Sequence, residues 1–117
     1  MKINDDVLNE LRAKFPRGVR VFSLSDGRDF VFQLATADHF RRANAELVRA
    51  LSGSSGAADA ASVHERIAEE LCVWPSAQDF AALRNVAPKV AGEIGMKLID
   101  QAGGGLSIVE GKADASR

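Results

Sequence analysis

The sequence predicts an α+β domain: a short N-terminal helix and a two-stranded antiparallel β-hairpin packed on a bundle of about four helices. Three observations carry that prediction. Residues 19–34 form two β-branched and aromatic runs around an Asp-Gly dipeptide. Later stretches repeat apolar residues at three- and four-residue spacing, and residues that favour helix starts precede them. A chain of 117 residues can also bury one core without disulfide or metal staples.

Asn4 and Asp5 cap the first helix, in which Leu8, Leu11 and Phe15 share one side, and Pro16 with Gly18 stops it. The hairpin strands are expected at 19–25 and 28–34. On the second, Phe30, Phe32 and Leu34 share one face, while Val31 and Gln33 point the other way. An isolated two-stranded sheet is marginal in water, so the helices that follow must cover the aromatic face.

Thr36 is the expected N-cap of the next helix, with Asp38 in its first turn and Phe40, Ala43, Leu47, Val48 and Leu51 as its apolar stripe. Arg41, Arg42, Glu46 and Arg49 fall largely off that stripe. Small and polar residues at 52–58 predict a flexible loop, after which a third helix starts near Asp59 or Ser62. Val63, Ile67, Leu71 and Trp74 form its inward stripe. Cys72 and Val73 lie off that stripe, so the end of this helix reads as apolar nearly all round and sandwiched. Pro75 drives Trp74 out of the α region, and Ser76 with Asp79 has capping-box spacing for a fourth helix whose Phe80, Leu83 and Val86 face inward. Pro88 opens a last helix along Val90, Ile94 and Leu98, flanked by Ala91 and Ala102, and the glycines at 103–105 end it. Residues 1–103 thus make a single α+β domain, and 104–117 read as a loosely ordered C-terminal tail.

Fifteen basic residues against sixteen acidic, a net charge of −1, give no sustained positive field for a phosphate backbone, so no nucleic-acid partner is expected. One cysteine cannot close an internal bridge, and no Cys or His pair stands at zinc-ligand spacing; neither metal nor cofactor is expected. The first ten residues lack a secretory apolar core and no apolar run has membrane-spanning length, so no membrane partner is expected and a cytoplasmic setting is. Cys72 has no basic neighbour in sequence and reads as a packed thiol. His39 and His64, each in the first turn of a predicted helix, read as surface residues. The triple glycine follows a helix where a phosphate loop would precede one, and no catalytic triad or carboxylate pair can be recognised, so no catalytic residue is nominated. A helix-turn-helix over residues 80–99 is disfavoured because Glu93 and Asp100 offset Lys89 and Lys97.

Taken in order, VFSLSDGRDFVFQLATADHFRRA, AEELCVWPSAQDFAAL and APKVAGEIGMKLIDQAGG resemble the layout of small bacteriophage tail assembly chaperones. The resemblance covers about residues 19–103 and rests on order, spacing and the segment CVWP. It implies a non-enzymatic protein that binds the long helical tape-measure protein and keeps it soluble while tail-tube subunits assemble round it, with self-association into a homo-oligomer open. On that reading Val73, Trp74 and Phe80, at a tight corner between helices, are the candidate partner-binding residues, with core packing as the other role open to all three. Such chaperones are often made in two lengths by frameshifting, and a slippery run could encode Gly111-Lys112. The insert at 52–58 and the tail depart from the family layout. A head–tail adaptor of the virion is the alternative, and a nucleic-acid-binding regulator the third.

Overall fold

The computed structural model describes residues 1–53 and 56–101, and only the backbone of 56–61. Its elements run α1 (Asp5–Lys14), β1 (Val19–Ser23), β2 (Asp29–Gln33), α2 (Ala37–Ser52), α3 (Gly56–Leu71), β3 (Cys72–Trp74), α4 (Ala77–Val86) and α5 (Pro88–Asp100). The fold is α+β, with one antiparallel sheet in the order β1-β2-β3.

The hairpin follows from its turn. Leu24 N–H donates to the Arg28 carbonyl at 2.8 Å, and Gly27 N–H to the Leu24 carbonyl at 3.0 Å, closing a three-residue loop. Gly27 alone in that loop has positive φ, +92°, which a side chain would oppose. Asp26 steadies the turn by accepting from Arg28 N–H at 3.0 Å. The register pairs Phe22 with Phe30 and Arg20 with Phe32, so these four side chains share the face turned to the helices.

The third strand corrects the expected two-stranded sheet and the expected extension of the third helix through Trp74. The helix ends at Leu71, and Cys72–Trp74 lie along β2. Two causes act together: Pro75 disfavours helix at Trp74, and β2 would otherwise leave one edge of backbone groups unpaired inside the protein. Beyond β3 the same edge is met by the N-terminus, where Asp29 N–H donates to the Met1 carbonyl at 2.9 Å. The Asp29 carboxylate accepts from Ser23 Oγ at 2.6 Å and Ile3 N–H at 3.0 Å. Those hydrogen bonds, Ser23 first, hold its carboxyl below the usual range. With a neighbour on each side, β2 is buried from Asp29 through Phe32, including Val31, the side chain expected to point away from the helices.

The core forms between the helix-facing side of the sheet and α3, α4 and α5. Phe80 stands edge-on to Phe30 (5.7 Å between centroids) and to Phe32 (5.4 Å), and Phe32 is edge-on to Phe22. Val63, Ile67, Leu71, Leu83, Ile94 and Leu98 fill the rest. Helix α3 packs against both α2 and α5. At Gly95 the α3 and α5 backbones meet so closely that a Cβ would overlap the His64 carbonyl. Arg20 donates to the Lys97 carbonyl at 2.9 Å, tying β1 to the last turn of α5.

Val86, expected inward, is 78% exposed at the end of α4. Within the stretch 52–58 expected as a flexible loop, α2 runs through Ser52 and the backbone of α3 begins at Gly56, while residues 54–55 lie outside the described residues. The expected tail at 104–117, the triple glycine and Gly111-Lys112 lie outside the described residues.

Candidate functional site

Helix α2 is built to be held firmly along one side. Thr36 caps it as expected, but its capping box closes with a histidine: His39 N–H donates to Thr36 Oγ1 at 3.2 Å, and Thr36 N–H donates to His39 Nδ1 at 3.0 Å. A ring nitrogen that accepts carries no proton, so Nε2 carries it and donates to Glu70 on α3 at 3.1 Å. His39, expected at the surface, is therefore a largely covered joint between two helices, its side chain 18% exposed. Glu70 also takes both ends of the Arg42 guanidinium, at 2.9 and 2.6 Å. The Arg42 hydrogen bonds hold the Glu70 carboxyl below its ordinary range. Arg66 reaches Glu46 at 3.3 Å, a third polar tie between α2 and α3.

Alongside this polar edge, α2 buries only Ala43 and Ala50, seven residues apart. Their small side chains let two helix backbones approach. Most of the larger apolar residues of the expected stripe stay outside, Phe40 being 42%, Val48 67% and Leu51 68% exposed, while Leu47 is half-buried and packs against the core. The result is an open apolar face running the length of α2, on a helix whose other side is fixed. Clustered side chains of this size at a surface mark a contact site for another molecule, whereas single exposed ones do not.

The nominated corner is different. Phe80 is 0% exposed at the centre of the ring cluster, which makes it core and removes it from any contact surface. Val73 and Trp74 are half-buried in β3, and the Trp74–Pro75 peptide is cis. Ser76 caps α4 by accepting from Asp79 N–H at 3.1 Å, while its hydroxyl donates to the Asp79 carboxylate at 2.7 Å. The Cys72 thiol is 8% exposed and faces the Trp74 and Ser76 carbonyls at 3.5 Å each. Burial pushes it up to about 11, so it stays a thiol at neutral pH. His64 is half-buried on α3, and desolvation lowers its pKa, favouring the neutral ring.

Hollows open at two places among the described residues that bear on the site. One of about 450 Å³ opens between α3 and α5 beside His64, Gly92 and Met96, and another of about 320 Å³ lies between the hairpin tip and Leu83, Ala87 and Val90. Among the described residues no group of three or more His, Cys, Asp or Glu is placed to hold a metal ion, and no helix is long and apolar enough to cross a membrane.

The sequence places Phe40, Ala43, Leu47, Val48 and Leu51 on a single stripe, and the structure divides that stripe between the core and the surface. The signal for that division is the width of the apolar sector: Ala43, Leu47 and Ala50 already make one narrow contact stripe, which leaves Phe40, Val48 and Leu51 beyond it. Comparison with protein families, with curated proteins and with solved structures gives no match.

Proposed function

We propose that this protein shelters an apolar helix of another protein and performs no chemistry on it, and that it acts as a bacteriophage tail assembly chaperone for the tape-measure protein in the host cytoplasm. The observation that carries the proposal is the open face of α2: Phe40, Val48 and Leu51 exposed on a helix anchored through Ala43, Ala50 and the Glu70 cluster. A tape-measure chain awaiting its tube exposes long apolar helical stripes, and pairing such a stripe with a rigid apolar face is a recurrent mode of helix recognition. The order of hairpin, CVWP corner and closing helix supports the family assignment. The contact surface moves from the corner to α2, because Phe80 is enclosed by Phe30 and Phe32.

Mass spectrometry of purified particles tests the role. A chaperone leaves before the particle is complete, so its peptides are absent from finished virions. Stoichiometric presence would instead make it a structural component such as an adaptor.

A further inference from the structure

We infer that the open face of α2 is a coiled-coil seam, and that its occupant is an amphipathic helix with one polar residue in its own seam and acidic residues beside it. This rests on the helix-sheltering reading and specifies which helix is sheltered.

Ala37, Phe40, Asn44, Leu47 and Leu51 follow one another at intervals of three, four, three and four, the spacing of the two seam positions of a heptad. Ala43 and Ala50 each stand one residue before a seam position and are the residues α2 buries, so the contact within the domain is centred beside the seam; of the seam positions Leu47 also packs against the core, and Ala37, Phe40, Asn44 and Leu51 are exposed. From Ala37 to Leu51 the seam is about 21 Å long, room for about two heptads of a partner.

Asn44 is exposed in the middle of this stripe. Covered by an apolar side chain, its amide would lose water and gain no hydrogen bond; opposite a polar side chain it is satisfied. A single seam asparagine therefore fixes register and rejects all-apolar partners.

Charge decides between a second copy and a different protein. Arg41 flanks the seam next to Phe40 with its side chain 74% exposed, and it pairs with Asp38, itself 93% exposed, at 3.4 Å. Arg42 is committed to Glu70. A second α2 offers Arg41, Ala43, Val48 and Ala50 at its flanking positions, none of them acidic. A helix with glutamates beside its seam adds a second counter-charge to Arg41 on the seam side, which a second α2 does not.

The test uses the full chain and three labelled helical peptides of about three heptads, with leucine at the seam positions. One has a central seam asparagine and glutamate flanks, the second replaces that asparagine by leucine, and the third replaces the glutamates by lysines. Fluorescence anisotropy is expected to rank the first tightest, by about tenfold or more over the second and by roughly two- to fivefold over the third. Asn44→Leu should invert the first preference and Arg41→Glu the second, with circular dichroism unchanged because both side chains are exposed. Equal binding of all three peptides, abolished by Phe40→Glu, would overturn the pairing rule and leave helix sheltering intact. No binding, with a sedimenting dimer that Phe40→Glu dissolves, would give the face to a second copy. No binding by a monomer would overturn both readings.

Discussion

Phe80→Ala measures what the ring cluster contributes and whether the corner is core. The side chain is wholly buried and meets Phe30 and Phe32 edge-on at 5.7 and 5.4 Å. Truncating a buried phenylalanine costs about 3–5 kcal/mol, from lost transfer energy and the cavity left behind. Two edge-on ring contacts, each of about 0.5–1.5 kcal/mol, place this site at about 4 kcal/mol or above. The surroundings have little freedom to refill the space, because β2 carries both partner rings and is paired on both sides. Against a total stability of about 5–15 kcal/mol for a domain, that loss removes between about a quarter and most of it. For a domain of this size the loss corresponds to a fall in Tm of about 15–30 °C. Equilibrium urea unfolding followed by circular dichroism reads it, with the slope checked so that a change in midpoint can be converted to free energy. A loss under about 1 kcal/mol, together with abolished partner binding, would refute the reasoning and return Phe80 to the contact surface.

Gly95→Ala places a methyl group against the His64 backbone, which cannot swing aside as a flexible side chain would, so α3 and α5 must part. Thermal unfolding should show a loss of about 2–4 kcal/mol despite alanine's better helix propensity; a neutral or stabilised variant would mean the two helices are not in contact there. Cys72 should react with iodoacetamide at pH 8 about a hundredfold more slowly than a free thiol, since burial moves it from 9.0 to about 11, and denaturant should restore the ordinary rate. Rapid labelling of the folded chain would contradict the packing of β3. Glu70 gives a pH dependence: its carboxyl is held below the unfolded value of 4.5, so its stabilisation is complete above that pH and is lost as pH falls through the folded value. Because Glu70 is 46% exposed, solvent screening keeps the contribution within about 1 kcal/mol. Glu70→Gln should therefore cost little at pH 7 and flatten the acid limb of the stability curve, and an unchanged limb would show that Arg42 and His39 do not act on it.

The parts of the fold legible in sequence are those whose cause is local. Asp26-Gly27 specifies a turn by backbone chemistry, and the alternation of Phe30 and Phe32 follows from the pleat; Asn4, Thr36 and Ser76 satisfy helix N–H groups within three residues of themselves. Strand β3 is three residues long, too short for any periodicity, and exists because β2 needs a neighbour that lies about forty residues away in the chain. Periodicity likewise finds the apolar sector of α2 but does not say which part of it meets α3. Alanines at 43 and 50 allow the closer approach, so they win the contact and leave most of the larger residues outside. The Glu70 cluster was equally out of reach, since His39, Arg42 and Glu70 meet only once the two helices are packed.

The central claim is that the α2 face carries the function. Co-expression of the chain with a tape-measure protein, comparing the wild type with Phe40→Glu/Leu51→Glu, tests it most directly, because both substitutions fall on exposed positions and leave the core alone. The account predicts that the wild type holds the partner in the soluble fraction and that the double variant, folded and equally abundant, leaves it in the pellet. A partner kept equally soluble by both proteins, or insoluble with either, would contradict it.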